Sequence, residues 1–137
     1  MFDIPIEKLI PQRTPFVLVD GIAKHDDSYT TSHFLITEDH VLIEDGKLSA
    51  YGLLENMAQT AALRSGYESY VKGEKQATGF IGTITNATIH TLPDAGKEIT
   101  TIVHQTNQIL NFILIDCTAY CNDVILAECS MKIVLMT

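Results

Sequence analysis

Ser49 to Val71 reads SAYGLLENMAQTAALRSGYESYV, and this stretch decides the fold. Its apolar residues Leu53, Leu54, Met57, Ala58, Ala61 and Ala62 recur at helical spacing. Ser49 stands where a side-chain oxygen can accept a hydrogen bond from a free first-turn amide. The spacing predicts one long helix from about Ala50 to Val71. Small residues hold its centre: Ala58, Ala61, Ala62 and Gly66. A helix this narrow lets another backbone approach closely, so it suits being wrapped by a sheet better than lying on a surface.

The flanking sequence supplies the sheet. Before the helix, segment 5–10 reads as a short apolar helix or turn closed by Pro11. Phe16 to Ile22 and Ser28 to Ile36 read as strands, and Thr37 to Gly46 as a loop with an apolar middle. After the helix, Ala77–His90, Glu98–Gln105, Phe112–Tyr120 and Val124–Leu135 are β-rich. Turn signals separate them at Pro93–Gly96, Thr106–Gln108 and Asn122-Asp123. The last run alternates: Ala127, Cys129, Met131, Ile133 and Leu135 on one face, Glu128, Ser130 and Lys132 on the other, as in a strand with one buried side. Two strands, a helix and four strands predict an α+β fold, one antiparallel sheet curled round one helix. The chain is expected to form one domain over residues 1–137.

At 46 % hydrophobic and 19 % charged residues the chain has the apolar content for a core without disulfide or metal staples. The net charge of -8 repels a phosphate backbone and argues against nucleic acid as a partner. Cys117, Cys121 and Cys129 show no metal-ligand or paired spacing and sit in apolar alternating runs, so they are expected to be small core residues rather than nucleophiles. No apolar run approaches the roughly 20 residues that span a bilayer. The N-terminus, MFDIPIEKLIPQR, lacks a secretory signal pattern. A cytoplasmic setting is the expectation, with no membrane partner.

Three segments together resemble the hotdog-fold beta-hydroxyacyl-[acyl carrier protein] dehydratases. Ile10-Pro11-Gln12-Arg13-Thr14-Pro15-Phe16-Val17-Leu18-Val19-Asp20 is similar to that family's Pro-x-Arg-x-Pro run leading into a Leu-Val-Asp strand. Leu54-Glu55-Asn56-Met57-Ala58-Gln59 is similar to the start of its central helix. Gly79-Phe80-Ile81-Gly82, the Pro93–Gly96 turn and three closing strands follow in its order. The loop ending Asp-Gly-Lys-Leu-Ser-Ala most resembles a divergent branch encoded with aryl-polyene pathways. The resemblance implies a hotdog fold and dehydration of 3-hydroxyacyl thioesters in fatty-acid or polyene-type biosynthesis, with the catalytic pair shared between two subunits. Glu55 falls on the family's helix acid. The usual Gly-His-Phe-Pro-Gly loop is absent, and His40, 15 residues before Glu55, is the candidate histidine. His33 lies inside a strand and is a decoy.

Dehydration needs a base for the α-proton and a proton donor for the departing hydroxyl. A neutral imidazole, with an unperturbed pKa of about 6.5, suits the first task, and a desolvated carboxyl the second. The resemblance assigns these to His40 and Glu55, and gives the thioester oxygen to the helix-terminal amides of Ala50 and Tyr51. Gln59, one turn beyond Glu55, is placed to hold its carboxyl. Met57, Ala61, Phe80 and Ile81 are expected to line an apolar acyl tunnel at a dimer seam. Arg13 is expected to anchor the N-terminal segment. The reaction calls for no metal and no cofactor. Acyl carrier protein or coenzyme A thioesters are the implied substrates, and a homodimer, a higher oligomer or a heterodimer the implied assembly. Two other functions fit the same residues: a catalytically reduced acyl-binding subunit of a hotdog heterodimer, and a thioesterase in which Glu55 activates water.

Overall fold

The helix forms over the stretch expected, as α1, Ala50–Val71, with the Ser49 hydroxyl accepting from the Gly52 amide at 3.1 Å. In this computed structural model, residues 2–75 and 78–136 are described. A 3-10 turn, Ile6–Lys8, opens the chain and is followed by β1, Gly21–His25, and β2, Tyr29–Leu35. A miniature hairpin, β3, Ile43–Glu44, with β4, Lys47–Leu48, leads into α1. After the helix come β5, Thr78–Ile89; β6, Glu98–Ile109; β7, Phe112–Cys121; and β8, Val124–Met136. Ala77, where β5 was expected to begin, lies outside the described residues.

One six-stranded antiparallel sheet in the order β1-β2-β6-β7-β8-β5 wraps α1 in the hotdog arrangement. Leu53, Met57 and Ala61 on the helix share a core with Phe34, Ile99, Val103, Ile115, Cys117 and Met131 on the strands. On another side of α1, the N-terminal segment brings Leu9, Ile10 and Val19 against Leu63. This approach is close enough to require glycine at position 66: a Cβ there would stand 1.8 Å from the Leu9 carbonyl oxygen. Arg13 anchors the segment, donating to the carbonyls of Glu7, Ile10 and Gln12.

Three expectations need correction. The strand expected from Phe16 begins only at Gly21. Residues 16–18 spend their backbone groups on side chains instead of a ladder. The Leu18 amide donates to Gln59 Oε1 (2.7 Å), its carbonyl accepts from Asn56 Nδ2 (2.7 Å), and the Phe16 carbonyl accepts from Gln59 Nε2 (2.9 Å). Apolar, β-branched composition therefore marked an extended segment, but its partner is a helix. The turn expected at Thr106–Gln108 lies inside β6, as an irregularity between Gln105 and Asn107. The chain reverses instead at Leu110-Asn111, where Leu110 takes φ 55° and is 87 % exposed. Cys117 and Cys129 are buried and opposite each other on β7 and β8, but Cys121 is only half-buried. The hydrogen bond to Cys129, together with burial, pushes the Cys117 thiol up, away from thiolate chemistry.

No helix among the described residues is long and apolar enough to cross a membrane.

Candidate active site at the open side of the helix

Glu55 sits in the second turn of α1, half-buried, where the helix faces neither the sheet core nor the N-terminal segment fully. Gln59 Nε2 donates to Glu55 Oε2 at 2.9 Å, so the i,i+4 bond read from the sequence forms. Gln59 is fully buried and does more than expected, because the same side chain also holds the Phe16 carbonyl and the Leu18 amide. One amide thus fixes a carboxyl rotamer and a backbone segment together. Asn56, which the sequence reading left without a role, completes this seam by binding the Leu18 carbonyl and accepting from Thr101 Oγ1. Its signal was legible: a polar amide on a helix face otherwise reserved for the core.

Glu55 opens on a groove of about 230 Å³ lined by α1, β5, β8 and the N-terminal segment. Ala58, Ala61 and Ala62 supply its floor, and Phe80 and Ile81 its far wall. Of the expected tunnel residues, Ala61, Phe80 and Ile81 line this groove. Met57 does not: two residues on from Glu55, it points to the opposite face and is fully buried in the core. The small-residue stripe of the helix, read as packing, is therefore what leaves room for the groove.

The first turn of α1 offers two donors. Gly52 is satisfied by Ser49 and Leu53 by the Ser49 carbonyl, which leaves the amides of Ala50 and Tyr51 as the pair without a partner among the described residues.

His40 is half-buried, with its ring edge-on to Phe34 at 5.8 Å between centroids. Its Nε2–H donates to the Val17 carbonyl at 3.0 Å, and its Nδ1 accepts from the Leu42 amide at 3.1 Å. Those bonds occupy both nitrogens. His40 and Glu55 thus converge on one short segment, through the Val17 carbonyl and, by way of Gln59, the Phe16 carbonyl. To accept a proton, His40 must first release the Leu42 amide. Among the described residues no cluster of three or more His, Cys, Asp or Glu could hold a metal ion.

A family model described as ApeP-like, ApeP dehydratase, matches residues 4–136. No curated protein matches the chain. Among solved structures, the dehydratase heterocomplex ApeI:P from Xenorhabdus doucetiae is similar at TM-score 0.88 and 18 % identity, over 98 % of this chain and 92 % of that one. A HP0420-homologue from Helicobacter felis is similar at TM-score 0.72 and 16 % identity, over 99 % and 93 %. A hypothetical thioesterase protein with coenzyme A from Streptococcus pneumoniae TIGR4 is similar at TM-score 0.67 and 10 % identity, over 84 % and 86 %. These likenesses carry the fold.

Proposed function

The chain belongs to the ApeP-like dehydratase family, and from that premise we propose that it dehydrates 3-hydroxyacyl thioesters on an acyl carrier protein, as one subunit of a hotdog dimer. The observation that carries this reading is Glu55, fixed by Gln59 at the head of an apolar groove. Glu55 gives its proton to the departing 3-hydroxyl. A base, His40 or a group of the opposing subunit, takes the α-proton, and the amides of Ala50 and Tyr51 receive the charge that gathers on the thioester oxygen. The electrons of the broken Cα–H bond form the new double bond, and the C–O pair leaves with the protonated hydroxyl as water.

The partner is argued from the sheet edge. Among the described residues β5 pairs only with β8, and Thr78–Ile89 carries no charge and no proline to blunt its free side. Phe80, Ile81 and Ile84 are exposed along it. A long apolar edge of this kind is a template for another strand. Because Phe80 and Ile81 also wall the groove, a subunit added there completes the acyl site. ApeI:P is itself a heterocomplex, which supports a hetero-partner as well as a second copy.

The engaged nitrogens of His40 favour a second reading of that residue. It positions the Phe16–Leu18 segment, and the base reaches in from the opposing subunit. The test is water loss from a 3-hydroxyacyl-loaded carrier protein, by mass spectrometry, with the chain alone and mixed with a partner hotdog dehydratase. If the base is His40, His40→Ala abolishes water loss in both mixtures. If the partner supplies it, His40→Ala retains activity in the mixture. Release of free acid points to the thioesterase reading instead. No water loss in either mixture overturns the proposal.

A further inference from the structure

Gln12 lines the same groove, and its Oε1 is buried without a hydrogen-bond partner among the described residues. A buried amide oxygen left unpaired bears its desolvation cost uncompensated, and retained orphans of this kind call for a donor. The backbone at Gln12 is not free to drift, since Arg13 Nη1 binds its carbonyl at 2.8 Å and that of Ile10 at 2.7 Å.

The level of Gln12 along α1 says which part of a ligand it meets. The Phe16 carbonyl is bound by Gln59, and the Leu9 carbonyl lies against Gly66. Gln12 lies between those two points in the segment. It therefore stands near the level of Ala62, roughly 10 Å along the axis from Glu55 at 1.5 Å per residue. That is too far for the reacting hydroxyl and falls beside the acyl chain beyond it. Around it Pro11, Ala58, Ala62, Ile133 and Leu135 offer no side-chain donor, and the Ser65 hydroxyl, which also lines the groove, makes no bond to the Gln12 oxygen. The terminal torsion of a glutamine is soft, so the oxygen can swing into the groove at little cost.

We propose that Gln12 is a specificity-determining residue, whose side-chain oxygen accepts a hydrogen bond from a hydroxyl carried on the acyl chain, well beyond the reacting carbons. This rests on the groove holding the acyl chain with its thioester end at Glu55. Gln12 selects chains bearing a distal hydroxyl over plain aliphatic ones, because only the former satisfy its oxygen. A neutral acceptor suits the task, since it recognises the hydroxyl without adding a second carboxylate to the acid's groove.

The test uses Glu55→Gln protein, so that ligands bind without turning over. Coenzyme A thioesters of octanoate and decanoate are compared with their terminally hydroxylated counterparts by calorimetry. At the length that reaches Gln12, the hydroxylated chain binds about tenfold tighter, as one neutral hydrogen bond provides. Gln12→Met in the same background removes that preference, so that hydroxylated and plain chains of one length bind alike. Gln12→Ala, with its fold checked by thermal melting, does the same. A preference that is absent at both lengths, or that survives Gln12→Met, overturns the proposal while plain-chain binding leaves the function standing. Equal weakening of all ligands, or loss of the dimer in Gln12→Met, assigns the residue to structure and overturns it. Failure of every thioester to bind takes down the groove reading and this proposal together.

Discussion

The two sides of α1 are built from the same helix and reach opposite states. Toward β2, β6 and the β1–β2 turn, the helix is closed by polar bonds as well as by packing. Thr60 shares a 2.8 Å hydrogen bond with Ser32, and Arg64 reaches Thr30 and the carbonyls of Asp26 and Asp27. Toward β5 and β8 the helix offers alanines, and the space they leave is the groove headed by Glu55. Polar closure is concentrated on the first side and the proposed chemistry on the second. The lesson is that small residues on a wrapped helix are read too simply as packing: on one side they admit the Leu9 backbone at Gly66, and on the other they keep a site open.

Filling the open side tests this division most severely. Ala58→Phe puts a ring into the groove and is expected to lower the dehydration rate at least ~100-fold, since displacing the acyl chain misaligns the reacting carbons. A melting temperature near wild type separates this from unfolding, and a rate near wild type places the acyl chain elsewhere.

Breaking the closed side has the converse signature. Arg64 is 2 % exposed, and Arg64→Met removes the donor from two backbone carbonyls, the Gln105 side-chain oxygen and the Thr30 hydroxyl, of which the last keeps its bond to His25. It is expected to cost about 3 kcal/mol in urea unfolding while the folded protein keeps its rate. Gly66→Ala comes next. The Cβ cannot be placed without moving the Leu9 backbone, and a loss of about 2 kcal/mol is expected even though alanine favours helices. Stability above wild type would show that the N-terminal segment yields freely.

The smallest effect is electrostatic. Burial, then the neighbouring Arg64 guanidinium, hold the His25 pKa below its ordinary value. The unfolded chain therefore takes up a proton before the folded one does. Stability contributed by neutral His25 is complete well above the ordinary histidine pKa and is lost as pH falls through it. Between pH 8 and pH 5, wild type is expected to lose more stability than His25→Gln, measured by urea midpoints. Equal losses would remove His25 from the account.

The helix and β8 were legible from helical spacing and alternation in sequence, the cap from Ser49, and four more of the longer strands from β-rich composition, three of them set off by turn signals. Residues 16–18 were misread because extended backbone looks the same whether a strand or a helix side chain satisfies it, and only the fold brings Asn56 and Gln59 to it. The β6–β7 turn was misplaced because Thr106-Asn107-Gln108 has turn composition, whereas Leu110, an apolar residue at positive φ, carries no such signal. At the site, Glu55 was placed by resemblance to a helix acid, and its bond to Gln59 was readable from their i,i+4 spacing. Met57 was assigned to the tunnel without regard to the face it occupies, and Gln12 was passed over, since its place beside α1 depends on the long-range approach of Leu9 to Gly66.

The most direct measurement of the central claim sets wild type beside Glu55→Gln, with the same subunit composition, on a 3-hydroxyacyl-loaded carrier protein. The intact mass of the carrier reports the result. The account predicts loss of one water from the acyl group with wild type and at least a ~100-fold slower loss with Glu55→Gln, at unchanged melting temperature. Equal water loss from both proteins would contradict it.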